Sequence, residues 1–328
     1  MRTSDITLSR RGLVAGLAGA ATGLAGAAPW PRLAEAAAAK IGPAAPSHNR
    51  FNLGDFEVTT ISDGAVQVDG PHPIFGENVS AAEVAELAAQ NFLPPDQMVI
   101  SFTPVLVNTG AELVLFDTGN GAGRRPDAGR LASLLTTAGF RPDQIDVVVL
   151  THFHPDHIGG LMEDGQPLLP NARYVTGEVE YDFWSPEDRL SGPTEGVAKL
   201  VQANVVPLAE KTSFIKEGAE VTPGIEAIAA FGHTPGHMAF HIESAGRRLL
   251  PTADTANHFV ASLQRPQWHV RFDMDKEQAV AARRRIFDMI AAERIPFTGY
   301  HMPFPSVGYV EQSELGYRYV PAAYQFSL

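Results

Sequence analysis

Thr151-His152-Phe153-His154-Pro155-Asp156-His157-Ile158-Gly159-Gly160 decides the reading of this chain, because it places four potential metal ligands within six residues. It directly follows the apolar run Val147 to Leu150, which reads as a short buried β-strand. In extended chain His152 and His154, two apart, project to the same side and can share one coordination sphere. Pro155 breaks the extended run, and Asp156 and His157 follow where the backbone can turn back towards a second ion. A lone histidine reads as a hydrogen-bonded or exposed residue. His-x-His-x-Asp-His between a strand and Gly-Gly reads as a metal site.

Composition narrows what such a site can be. The chain has 328 residues, 45% of them hydrophobic, enough for a large core. A formal charge of -12 excludes a nucleic-acid surface, which needs a basic stripe. The basic run Arg283-Arg284-Arg285 sits inside a helical pattern and reads as a solvated face. Cysteine is absent, so disulfides, thiolate ligands and a cysteine nucleophile are all excluded. Imidazole and carboxylate must therefore hold any metal.

Residues 1–40 do not read as fold. Ser9-Arg10-Arg11-Gly12-Leu13-Val14, an Ala/Gly/Leu stretch to Ala28 and the small residues through Ala39 resemble a twin-arginine export signal with its cleavage region. The stretch is short and Gly-rich for a membrane anchor of about 20 apolar residues. The expectation is therefore a periplasmic or secreted protein with no stable membrane span after processing. A Pro-rich linker over 41–50 then leads into one domain, 51–328.

Within that domain Phe56 to Ile61 with Asp63-Gly64 predicts a hairpin, and Val105 to Val107 with Leu113 to Phe116 predicts a second one ending in Asp117-Thr118-Gly119. Helices are predicted over Ala81 to Gln90, around Leu131, Leu134 and Leu135, over Val197 to Ala203, and from Lys276 to Ala292 with Asp275 as N-cap. A last strand, Ile295 to Tyr300, brings His301. Hairpins grouped early and helices interleaved later suggest an α+β fold, a two-layer core of sheets with helices outside.

Asp117, His237, Asp254 and His301 stand where a second cluster of strand ends would supply further ligands. Together with His152, His154, Asp156 and His157 they resemble the metallo-β-lactamase superfamily, whose αββα sandwich holds two metals at strand ends between two mixed sheets. The resemblance covers roughly residue 51 to the C-terminus. It implies that His152, His154 and His237 hold one ion and Asp156, His157 and His301 the other. Asp254 would bridge them, Asp117 would orient a ligand histidine, and Asp254 and Asp156 would be the catalytic carboxylates. Two divalent cations, zinc by preference with cobalt, manganese or iron also suited, outweigh the aspartates and a bridging hydroxide and leave the site electrophilic. The implied reaction is hydrolysis without an organic cofactor. Diiron oxidoreductases of the superfamily carry Glu where this chain has His154, and the best-known zinc β-lactamases need a Cys ligand.

Within the superfamily the chain is similar to exported organophosphorus hydrolases of the methyl parathion hydrolase family. Shared stretches include Leu53-Gly54-Asp55-Phe56, Asp182-Phe183-Trp184, Gly232-His233-Thr234-Pro235-Gly236-His237 and Gly316-Tyr317-Arg318-Tyr319. This resemblance puts Trp184 in a leaving-group pocket. The chain departs from it at Arg124, which suggests an anionic substrate group. Many lactonases of the superfamily have a Tyr three residues after the bridging Asp; here Asn257 stands there, favouring esters with good leaving groups. Trp268 is a candidate roof for the pocket, against the plainer reading of surface-loop packing. His48, His72, His233, His241, His258 and His269 are unassigned. The leading expectation is an exported dinuclear hydrolase of phosphotriesters or activated esters. A lactonase with promiscuous phosphotriesterase activity and a non-catalytic metal-binding protein are the alternatives, and a homodimer is compatible with the resemblance.

Overall fold

The strand Val147–Leu150 is buried throughout, with Val147 and Val149 turned into one apolar cluster and Val148 and Leu150 into another. Side chains alternate in a strand, so cover on both faces explains why the run carries no polar residue. The computed structural model describes residues 44–322 and 325–328. The leader expected over 1–40 lies outside them, and the segment expected as a linker over 41–50 gives way at His48 to a strand, His48–Leu53.

Val147–Leu150 belongs to a seven-stranded sheet ordered His48–Leu53, Phe56–Ile61, Val105–Asn108, Leu113–Phe116, Val147–Leu150, Arg173–Gly177, Thr212–Ile215. The first four strands pair antiparallel and the last four parallel, so the sheet is mixed. A second seven-stranded sheet runs Glu220–Thr222, Ile225–Ala229, Met238–Ser244, Arg247–Pro251, Phe297–Thr298, Val307–Gln312, Tyr317–Pro321. It is antiparallel except where Arg247–Pro251 meets Phe297–Thr298. Phe51, Val107, Phe116 and Val149 of the first sheet pack on Ile225, Phe240 and Leu249 of the second. Helices Leu131–Thr137 and Glu195–Asn204 cover the outer face of the first sheet, and Lys276–Glu293 covers that of the second through Ile286, Phe287 and Ile290. The result is the αββα sandwich of the α+β class. Asp275 is the N-cap as predicted, its side chain accepting from the Gln278 amide at the start of Lys276–Glu293, without the return bond from Gln278 that a capping box would add.

Two local expectations are corrected. Asp63-Gly64 does not turn a hairpin, because Phe56–Ile61 pairs inside the first sheet while Gly64–Asp69 leaves to form a separate two-stranded arm with Gln97–Phe102. Asp63 is instead a buried carboxylate that accepts from the backbone amides of Asn120, Gly129 and Arg130 and from the Asn120 side chain at 2.9 to 3.2 Å. The strand expected over Ile295 to Tyr300 shrinks to Phe297–Thr298, since Pro296 has no N–H for a ladder.

Asp63 thus fastens the whole loop after Phe116. Replacing it by Ala strands several buried N–H groups and should lower the unfolding free energy by at least about 2 kcal/mol in urea denaturation. An unshifted midpoint would mean that water replaces the carboxylate.

Candidate metal centre

Parallel pairing of Leu113–Phe116 with Val147–Leu150 brings Asp117 beside Thr151 at the same sheet end, and the Thr151 amide and hydroxyl both donate to Asp117 at 2.9 Å. Parallel pairing of Arg247–Pro251 with Phe297–Thr298 does the same for Asp254 and His301, whose Nε2 lies 3.1 Å from Asp254 Oδ2. The two ends meet where the Met238 amide donates to Thr151 O at 3.0 Å.

Two donor groups result. In the first, His152, His154, His233 and Asp254 bring one ligand atom each within 4.8 Å of one another; in the second, Asp156, His157 and His301 do so. Asp254 lies between them. Its Oδ1 is 3.2 Å from His157 Nε2, and its Oδ2 is 3.2 Å from His233 Nε2 and 3.1 Å from His301 Nε2.

Buried groups set the rings. Asp117 accepts from His157 Nδ1 at 2.8 Å, which turns His157 Nε2 inward. The hydroxyl that Thr151 gives to Asp117 lies 3.1 Å from His152 Nδ1, so one carboxylate steers a histidine of each group. His301 Nδ1 donates to Ser101 O of the arm at 2.8 Å. Gly159 and Gly160 have no room for side chains: a Cβ would stand 2.2 Å from Asn120 O and 2.0 Å from Thr118 O respectively. Their bareness lets the loop after Asp117 lie directly on the ligand turn.

Sequence reasoning missed Glu180. It is fully buried, and it accepts from the Phe153 and Gly236 amides at 2.9 Å, from the Thr234 hydroxyl at 2.7 Å and from Trp184 Nε1 at 3.0 Å. It ties the loop of His152 and His154 to the Gly232–His237 loop. Burial raises its pKa, against these four hydrogen bonds.

The assignment of His237 as a ligand is corrected. Its Nδ1 donates to Ala230 O and its Nε2 accepts from the Asp254 amide, both at 3.1 Å, so neither nitrogen is free for an ion. Burial and the neighbouring His233 push its pKa down to about 3, keeping it a neutral strut. His233, at the other end of Gly-His-Thr-Pro-Gly-His, takes its place: Nδ1 is held by Asp273 Oδ1 at 2.8 Å and Nε2 lies 2.9 Å from His154 Nδ1. Trp184 is likewise not a pocket residue. It is buried among Val148, Leu150 and Phe153 with its N–H spent on Glu180.

Arg124 and Asn257 do reach the site, lining a cavity of about 400 Å3 with Asp156, Asp254 and His301; Val66, Val68, Ile100, Phe102 and Phe272 make its apolar wall. Trp268 is not its roof. It lines a neighbouring cavity of about 600 Å3, to which the arm contributes Gln67, Val99 and Ser101 and which shares His301 with the first.

The residues fit two divalent ions. His152 Nε2, His157 Nε2 and Asp254 Oδ1 are buried and make no well-formed hydrogen bond, the last two lying 3.2 Å from each other, an arrangement that a cation satisfies. The donors are imidazole and carboxylate only.

Comparison with known proteins agrees with this fold. The profile of the metallo-beta-lactamase superfamily matches residues 103–296. The chain belongs to the metallo-β-lactamase superfamily. Among superfamily relatives, an N-acyl homoserine lactonase of Bacillus cereus is 22% identical over 172 residues, which are 52% of this chain and 62% of the relative. The chain thus matches less than two thirds of that relative's length. The structure of AidC, described as a dizinc quorum-quenching lactonase in complex with a product, N-hexnoyl-L-homoserine, superposes with TM-score 0.78 at 25% identity, over 85% of this chain and 98% of that one. AbOPH, described as a hydrolase in the beta lactamase superfamily, superposes with TM-score 0.79 at 24% identity, over 86% and 100%.

In the metal-free protein the cluster stores protons. Burial opposes charge on His233, but hydrogen bonds to Asp254 and Asp273 outweigh it and push its pKa up to about 9. His157 is also held well above its usual range: burial opposes the charge, but Asp254 and Asp117 prevail. Ions must displace these protons, so apparent zinc affinity should rise as pH increases from about 7 to about 9, with proton release seen in weakly buffered titration. Affinity independent of pH over that window would show the cluster already deprotonated.

Proposed function

We propose that this chain is a dinuclear metal-dependent hydrolase of ester bonds, acting on lactones. The observation that carries this reading is Asp254, placed between two groups of imidazole and carboxylate donors beneath an apolar cavity. The likeness to a dizinc lactonase over most of the chain supports the cyclic-ester choice. Two divalent cations held there would polarise a carbonyl and lower the pKa of water to about 7. Zinc is the proposed metal, and the donor set also suits cobalt, manganese or iron.

The chain's own residues do the rest. Asp254 places one negative charge against both groups, and the Asn257 side chain donates from Nδ2 to its Oδ2 at 2.9 Å, which fixes the carboxylate plane. Asp156 is the half-buried carboxylate on the cavity wall; as a base it would take the proton that the attacking water loses and hand that same proton to the departing oxygen. The apolar wall excludes water from around the acyl portion. Arg124 is exposed at the cavity and has no carboxylate within ion-pair distance among the described residues, whereas Arg125 pairs with Glu163 at 2.7 Å.

A second reading, phosphotriesters or activated esters, is favoured by one observation. Asn257 offers no acidic hydroxyl and the Tyr300 hydroxyl is committed to Asp156 O, so Asp156 alone serves a departing alkoxide, and a leaving group that departs unprotonated asks less of this site. The export expectation belongs to this proposal too: residues 1–40 would deliver the enzyme to the periplasm, and cell fractionation with intact and Arg10/Arg11-substituted leaders would show it.

Comparing kcat/KM for N-acyl homoserine lactones and a paraoxon-type triester should show a lactone preference of at least about tenfold, or about 1.4 kcal/mol at the transition state. A phosphotriester preference of that size would reverse the order. His152→Ala should abolish turnover, and retained turnover would remove the metal from the chemistry. Arg124→Ala should raise KM about tenfold for substrates with an anionic group and leave neutral ones unchanged; an equal effect on both would dismiss an anion site.

A further inference from the structure

We infer that Asp273 and Arg283 are positioning residues that aim the His233 ring and lock it to the loop carrying Asp254 and to the cavity wall. This rests on the dinuclear reading above.

Arg283, expected on a solvated helix face, is the buried member of its basic run, at 1% exposure, and Asp273 beside it is at 3%. Arg283 Nη2 donates to Asp273 Oδ2 at 2.9 Å, and the other oxygen of Asp273 accepts from His233 Nδ1 at 2.8 Å. A histidine whose Nδ1 N–H is donated to a carboxylate is left with Nε2 as the nitrogen that can bind an ion once its proton is displaced, and that atom is the one pointing at Asp254 and His154. The main chain holds the same contact: the Met274 amide donates to His233 O at 3.0 Å and the Asp275 amide to Gly232 O at 2.9 Å.

The rest of the guanidinium explains why arginine stands there. Nε donates to Thr255 O at 2.9 Å, and Nη1 to Pro266 O at 3.0 Å and Trp268 O at 3.3 Å. Thr255 follows Asp254, and Trp268 walls the larger cavity. One planar fork therefore joins a ligand histidine, the loop of the shared carboxylate and a cavity wall, which the ammonium of lysine cannot do. Packing alone does not call for this pair, since apolar residues of like volume are often as stable.

The test is a zinc titration of the metal-free protein against a chromophoric chelator, with apo thermal melts alongside. Asp273→Asn should weaken one of the two ions about 10- to 100-fold and leave the other unchanged. Arg283→Lys should weaken the same ion less than Arg283→Met does. Wild-type affinity for both ions in Asp273→Asn would overturn the inference, as would equal weakening of both in step with a lower apo melting temperature. A wild type that binds no zinc would instead sink the dinuclear reading. Should the variants not fold, nitrogen-15 NMR of the zinc-loaded wild type decides: His233 bound through Nε2 with a slowly exchanging Nδ1 proton is expected, and ligation through Nδ1 overturns it.

Discussion

Everything in this molecule hangs on keeping bare imidazole and carboxylate atoms aimed at shared points in a nearly dry interior. Left to themselves, such donors would turn towards water or towards each other, because a buried polar atom without a partner is costly. The fold prevents this with three buried carboxylates, Asp117, Glu180 and Asp273, each pinned by several donors. None of the three lines the cavity. Their role is to fix direction, which is the property that an ion site needs most.

The sheets supply the distances. Parallel pairing puts equivalent strand ends side by side, so Asp117 with Thr151, and Asp254 with His301, follow from register. The arm Gly64–Asp69 with Gln97–Phe102 then closes the chemistry in, since it both walls the cavity and accepts the His301 proton at Ser101. Cavity shape and ligand orientation are therefore coupled through a two-stranded element outside both main sheets.

Much of this was legible from residues alone. The apolar run before His152, the helix capped by Asp275 and the hairpin ending at Asp117 all carry local signals that survive folding intact. What was not legible depends on contacts distant in sequence. Nothing local separates His233 from His237 in one loop; the choice is made by Asp273, Ala230 and the Asp254 amide. Resemblance alone puts Trp184 in a pocket; what withdraws it is Glu180, whose other partners Phe153, Thr234 and Gly236 are remote from it in sequence. Arg283 looked solvated because its helical position was judged without the loop that lies over it. Asp63 was taken for a turn former because its acceptor role is spread across residues 120–130.

Neither donor group comes from one sheet. His152, His154, Asp156 and His157 follow a strand of the first, while His233, Asp254 and His301 are carried on loops of the second. An ion in either position would consequently be a rivet across the seam of the sandwich, added to the Met238–Thr151 hydrogen bond and the Glu180 tie that already join the two halves at this end.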